Sequence, residues 1–181
     1  MGWGLFGDRT AYLIAMILVA IIAYIAGFIS FYIYHRKVVD VLTTCPAYGV
    51  GTRQRLELLW ARLRHGRYSV IFFDLDHIHQ LNDELGYEAV DDRIRSALAC
   101  FRSSRGSNSL FRWYSGDEIV VVCPTTDVEG AAVRLLQVIF DHELSATISV
   151  APAQFDLKAS VSIAAGRVQA AKAAGIRGQI V

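Results

Sequence analysis

The chain has 181 residues, a formal net charge of +1 and 54% hydrophobic residues. That length has room for one folded domain and an anchor, and the small charge argues against a nucleic-acid polymer as partner, because duplex binders display a concentrated basic face. Its three cysteines, Cys45, Cys100 and Cys123, are odd in number and far apart with no Cys-x-x-Cys, so neither a disulfide framework nor a zinc site is indicated.

Residues 1–11 read as a short extracytoplasmic N-terminus. From Tyr12 to Tyr34 no side chain is charged. At about 1.5 Å per residue a helix of that length crosses a bilayer core of roughly 30 Å, so residues 12–34 are expected to span the lipid bilayer. The competing assignment is a cleaved signal peptide, whose apolar core is shorter and follows a basic start; Met1–Thr10 is nearly neutral. His35-Arg36-Lys37 comes next, with Arg53, Arg55, Arg62 and Arg64 soon after. The positive-inside bias places the C-terminal part in the cytoplasm and makes the chain a single-pass inner-membrane protein. Residues 35–52 are expected to be a juxtamembrane linker and residues 53–181 the folded domain. No sensory domain is recognisable in the first forty or so residues.

Within that domain, Arg53–Arg64 has helical spacing at Leu56, Leu59, Trp60 and Leu63, and Gly66 ends it. Tyr68–Leu75 is a continuous apolar and aromatic run, the signature of a strand covered on both faces. Asp83–Phe101 returns to helical spacing, and the Ser/Gly-rich stretch at 103–109 is a loop. Leu110–Tyr114 and Ile119–Cys123 read as strands joined by a tight turn, a hairpin with carboxylates at its tip. Val128–His142 is expected to be a helix with Val133, Leu136 and Phe140 inward. Thr147–Val150 and Ala159–Ala164 are candidate strands, and Arg167–Ala174 a short helix ended by Gly175. The alternation gives an α+β or mixed α/β domain.

Two acidic clusters stand at the ends of these strands, Phe73-Asp74-Leu75-Asp76 and Gly116-Asp117-Glu118. Carboxylates at the ends of adjacent strands can share a divalent cation, and a hard cation held by oxygen ligands is what phosphoryl transfer from a nucleoside triphosphate requires.

The stretch from Phe73 to Asp91, with Asp74, Asp76, Asn82, Asp83, Gly86 and Asp91 at its fixed points, resembles the D-x-D-x-F-K-x-x-N-D-x-x-G-H-x-x-G-D signature of GGDEF-domain diguanylate cyclases. Tyr114-Ser115-Gly116-Asp117-Glu118-Ile119 resembles the hairpin that names that family. Asp40-Val41-Leu42-Thr43 is similar to its entry motif D-x-L-T, and Ala171-Lys172-Ala173-Ala174-Gly175 to its terminal A-K-x-x-G. The resemblance implies a palm-like nucleotide-cyclase fold, a central mixed sheet flanked by helices, that condenses two GTP into cyclic di-GMP with Mg2+ or Mn2+. It implies Asp74, the Leu75 carbonyl and Asp117 as metal ligands, with Asp117 and Glu118 as the catalytic pair. Asn82 and Asp91 would read guanine, Ser115 and Gly116 would form the tip beside the triphosphate, and Lys172 would reach the phosphates. Because each site holds one GTP and two must face each other, a homodimer is implied for catalysis.

Plainer roles stand beside these. Asp76 fits a structural part, such as capping the next helix. Asn82-Asp83 could be a turn pair and Lys172 a solvated lysine; His77 and His79 fit surface polarity at a helix entry better than a metal pair; Trp113 and Tyr114 fit strand packing better than a nucleobase platform.

The chain also departs from the pattern. Ser115 replaces the first hairpin glycine, Trp113 stands where the family has arginine with Arg112 one place earlier, Val90 replaces a glycine, Tyr87 a histidine, and Ile176 the terminal arginine. The interval from Ser162-Ile163-Ala164 to the A-K-x-x-G motif is shorter than the family's, suggesting a shortened C-terminus. The product-inhibition motif would fall on residues 106–109, which lack both its charges. Two alternatives therefore accompany the cyclase: a degenerate domain acting as a GTP-binding or protein-docking regulator, and a cyclic-oligonucleotide synthase of altered base choice.

Overall fold

The computed structural model describes residues 4–63, 65–104, 109–114 and 116–181. The chain divides into two compact units, Met1–Leu42 and Thr43–Val181.

The first unit is one helix, α1 (Gly4–Leu42). Its Arg9–Leu42 portion has a mean hydropathy of 2.7 in its most apolar window, and none of that window is buried. Helix continues through His35-Arg36-Lys37, where a linker is expected, because nothing between Tyr34 and Leu42 breaks it: no Gly or Pro occurs there.

The second unit begins at Thr43 rather than at residue 53. Cys45, Tyr48 and Val50 of the expected linker are buried, and Gly51 bridges to Phe111. Gly51 has to be glycine, since a Cβ there would lie 2.5 Å from the Phe111 ring. Then follow α2 (Arg53–Trp60), β1 (Tyr68–Leu75), α3 (Ile78–Leu85), α4 (Tyr87–Ser104), β2 (Ser109–Arg112), β3 (Glu118–Pro124), α5 (Val128–Asp141), β4 (Ala146–Pro152) and α6 (Leu157–Ala173). The single helix expected over Asp83–Phe101 is broken at Gly86, whose φ of 84° belongs to glycine.

The sheet order is β2-β3-β1-β4. Expected as mixed, it is antiparallel across all four strands; among the described residues parallel pairing is confined to the bridges Gly51↔Phe111 and Ile148↔Ile180. Strand periodicity sorts the side chains onto two cores. Ile71, Phe73, Leu75, Ile119, Val121 and Ile148 join Cys45, Tyr48 and the inner sides of α4 and α5. Val70, Phe72, Val120 and Val122 pack with α2 and α6 on the other face.

Two expected elements change. Ala159–Ala164 is not a strand but part of α6, where Ser160, Val161 and Ala164 face inward. The C-terminal interval that looks shortened is therefore occupied by this longer helix, and the strand preceding it is β4. On α5 the buried stripe is Val128, Ala131, Ala132, Leu135 and Ile139; Val133 and Phe140 are exposed instead.

Candidate active site at the acidic end of the sheet

In the β1–β3 ladder Asp74 pairs directly with Glu118. Both follow the parity of Val70, Phe72, Val120 and Val122, so they share the face covered by α6. Like charges directly opposite each other destabilise a sheet. Asp117 adds a third carboxylate from the turn, within hydrogen-bonding reach of Asp74. Burial, then the Asp74 charge, raises the Asp117 pKa. Glu118 is raised in the same way, by burial first and then by Asp74 and Asp117.

Among the described residues a lysine answers this charge. Lys172, in the last turn of α6, places its Nζ 3.1 Å from Asp74 Oδ2 and 2.9 Å from Asp76 Oδ1, and donates to the Leu75 carbonyl at 3.1 Å. The lysine is not a solvated surface group. Asp76 does not cap α3, whose first turn follows His77 without a side-chain cap. It is buried among donors instead: Ser145 Oγ at 3.1 Å, Thr147 Oγ1 at 3.0 Å and the Gly178 N–H at 3.0 Å. Burial acts to raise the Asp76 pKa, but the hydrogen bonds from Lys172 and Gly178, the lysine charge and Thr147 outweigh it, and the net shift is downward. Asp76 is thus the fixed anion of the site.

The hairpin tip is shaped by residues whose part is not apparent from sequence. Gly116 has φ 87°, a conformation that favours glycine irrespective of any ligand; no atom lies within 4 Å of a Cβ built there. Arg112 donates through Nε to the Gly116 carbonyl at 2.9 Å, with its guanidinium 4.8 Å from the Tyr48 ring centre. Trp113, one place on, turns to the opposite face and is buried against α2 and α6. The one-residue shift of arginine in the sequence is therefore a change of face. Tyr114 is exposed, not packed in the strand, with Arg53 4.7 Å from its ring centre. Tyr48, its pKa raised by burial and then by Asp91 and, further down, by Asp117, feels both α4 and the hairpin.

Asn82 and Asp91 lie half-buried on α3 and α4. His77 and His79 are exposed at the entry to α3, and His79 approaches Asp83 at 3.9 Å. Ser115 and residues 106–108 of the expected inhibition motif lie outside the described residues.

The site fits a divalent cation by its donor chemistry: two neighbouring carboxylates, Asp74 and Asp117, whose mutual charge raises the pKa of Asp117, and a carbonyl, Leu75, one residue from Asp74. Hard-cation sites are built from such oxygens. Among the described residues no group of three or more His, Cys, Asp or Glu side chains forms a ready-made metal cage, so water and substrate oxygens would complete the coordination, as is usual for Mg2+.

The sequence profile of "Diguanylate cyclase, GGDEF domain" matches residues 38–176. The chain is 29% identical over 91 residues to the probable diguanylate cyclase DgcE of Escherichia coli, covering 49% of this chain and 8% of that protein. It is 32% identical over 79 residues to the cyclic di-GMP phosphodiesterase NbdA of Pseudomonas aeruginosa, covering 42% of this chain and 10% of that protein. It thus spans a small part of either relative's length. Among solved structures, diguanylate cyclase SiaD of P. aeruginosa, in complex with its activator SiaC, superposes with a TM-score of 0.71 at 17% identity, over 97% of this chain and 76% of that one. The coiled coil and GGDEF domain of DgcB from Caulobacter crescentus, in complex with c-di-GMP, gives 0.67 at 16% identity, over 91% and 98%. Those likenesses show the fold, and the profile match shows the family: the chain belongs to the GGDEF domain family.

Proposed function

We propose that this chain is a membrane-anchored diguanylate cyclase that condenses two GTP into cyclic di-GMP, its residues 12–34 crossing the inner membrane and its GGDEF domain in the cytoplasm. The observation that carries the reading is the gathering of Asp74, Asp117 and Glu118 at one end of β1 and β3, where their charges repel one another.

In this reading Asp74, the Leu75 carbonyl and Asp117 hold Mg2+ or Mn2+. When bound, that ion neutralises triphosphate charge and favours ionisation of the attacking hydroxyl. In this reading Glu118, whose carboxyl is raised from its ordinary value, takes the 3′-hydroxyl proton. Gly116 lets the backbone approach the triphosphate, with Ser115 the small neighbour at the tip. Asn82 and Asp91 read guanine, the amide through both edges and the carboxylate by accepting from base N–H groups. Lys172, held by Asp76, contributes its positive charge to the field around the phosphates. Two subunits bring two such half-reactions face to face, and confinement to a membrane plane raises their encounter frequency.

A second reading, a GTP-binding regulator without turnover, is favoured by one observation. Trp113 occupies the family's arginine position and is built into the core, so no cation extends from there toward a phosphate. Turnover assays on the full chain in nanodiscs, with each triphosphate alone and in pairs, decide between the readings. Cyclic di-GMP formed from GTP and lost in Asp117→Ala supports the cyclase. GTP binding without product supports the regulator, and a mixed or adenine-containing product would overturn the base assignment.

A further inference from the structure

We propose that the Lys172 ammonium is the resident counter-ion of the Asp74–Leu75 position, which it yields to an incoming divalent cation while Asp76 keeps hold of the lysine. The inference rests on the metal assignment made for the proposed cyclase. Its ground is stereochemical. An ammonium has three N–H donors, and Lys172 finds three oxygens within 3.1 Å: Asp74 Oδ2, Asp76 Oδ1 and the Leu75 carbonyl. Two of the three, on Asp74 and Leu75, are the oxygens assigned to the metal. A hard cation takes such oxygens at about 2.1 Å, so ammonium and cation cannot hold them together, and two positive charges that close repel strongly in a half-buried site.

Asp76 is the reason the lysine need not leave. Its carboxylate is buried and fixed by hydrogen bonds from the Ser145 and Thr147 hydroxyls and the Gly178 N–H. The lysine can therefore give up Asp74 Oδ2 and the Leu75 carbonyl and still keep a charged hydrogen bond. The backbone has no need to move: Ala171 and Val168 of α6 are buried, so the exchange is a side-chain rotation. In the metal-free domain the same ammonium offsets the repulsion among Asp74, Asp117 and Glu118, acting against the burial and carboxylate charges that raise Asp117 and Glu118. Lys172 is thus a built-in competitor that lets an otherwise repulsive acidic site exist before it is loaded.

The test is Mn2+ titration of the full chain in nanodiscs without nucleotide, read as free Mn2+ by electron paramagnetic resonance, with thermal melts alongside. Lys172→Gln is expected to bind Mn2+ about tenfold more tightly than wild type, the scale of removing one nearby charge. It should also melt lower without metal and gain more from Mn2+. Lys172→Ala, run in parallel, carries the same expectation and covers a folding failure of the glutamine variant. Equal or weaker Mn2+ binding in the variants would overturn the inference and leave the cyclase standing. Absence of Mn2+ binding in wild type and variants alike would also overturn the inference, whereas failure of the cyclase is read separately, as GTP left unconverted in the turnover assay.

Discussion

The two ends of the β1–β3 ladder obey one register and different rules. At one end Ser69 pairs with Cys123, both buried, and the polar groups are neutral and satisfied, with the Ser69 hydroxyl donating to Thr125 at 3.1 Å. At the other end Asp74 faces Glu118 with Asp117 beside them. Between the two lie Val70 to Phe73 and Ile119 to Val122, all buried. The quiet end and the middle hold the strands together. The acidic end gives back some of that stability, which is the pattern expected where a fold carries a reactive site.

The largest effect should come from the acidic end. Asp117→Ala is expected to lower cyclic di-GMP synthesis by at least about a hundredfold, the scale seen when one preorganised electrostatic contact is removed. Its far-ultraviolet circular dichroism and melting cooperativity should stay those of wild type; retained synthesis would refute the assigned role. In the middle of the ladder, Phe73→Ala empties a fully buried site and should cost about 3–5 kcal/mol in denaturant-measured stability. A loss under about 1 kcal/mol would mean that the strand is not the core of the domain.

Glu118→Gln should act in the opposite direction. The Glu118 pKa is raised in the folded domain, so the stability attached to its protonated form is fully present below its unfolded value and is lost as pH rises through the folded one. Neutralising it should therefore stabilise the metal-free domain, by up to about 1 kcal/mol. It should also flatten the fall in stability just above pH 4.5, the ordinary glutamate value. A lower melting temperature than wild type in chelator at neutral pH would contradict the repulsion account. The smallest signal belongs to the quiet end. Cys123 is buried with its thiol pushed up to about 12, so at pH 8 a thiol reagent should modify exposed Cys100 and leave Cys123 untouched until the domain unfolds. Comparable rates at both would show that the end opens locally.

Much of this contrast is visible in the sequence, because strands buried on both faces read as unbroken apolar runs and the carboxylates that end them stand out. The β2–β3 hairpin is legible for the same reason. Less legible is which stripe of α5 faces the sheet. Ala131, Leu135 and Ile139 compete with Val133, Leu136 and Phe140 at equally helical spacing, and the choice is settled by neighbours that the sequence does not order in space. Ala159–Ala164 reads as a strand because a short apolar run of small and β-branched residues does not distinguish the two periods. At the site, the carboxylates and Lys172 can be nominated, but not the lysine's partners. They lie at the end of β1 and just beyond it, far away in the chain, and Asp76 takes its remaining hydrogen bonds from Ser145, Thr147 and Gly178. Nor does the sequence reveal that Arg112 shapes the turn through the Gly116 carbonyl, a main-chain contact with no side-chain signature.

The most direct measurement of the central claim is anomalous diffraction from crystals of the full chain soaked with Mn2+ and a non-hydrolysable GTP analogue. The expected result is a single-metal peak with one carboxylate oxygen of Asp74 and one of Asp117 each about 2.1 Å away, and Lys172 withdrawn toward Asp76. A peak bound elsewhere, or one reached by only one of the two carboxylates, would contradict it.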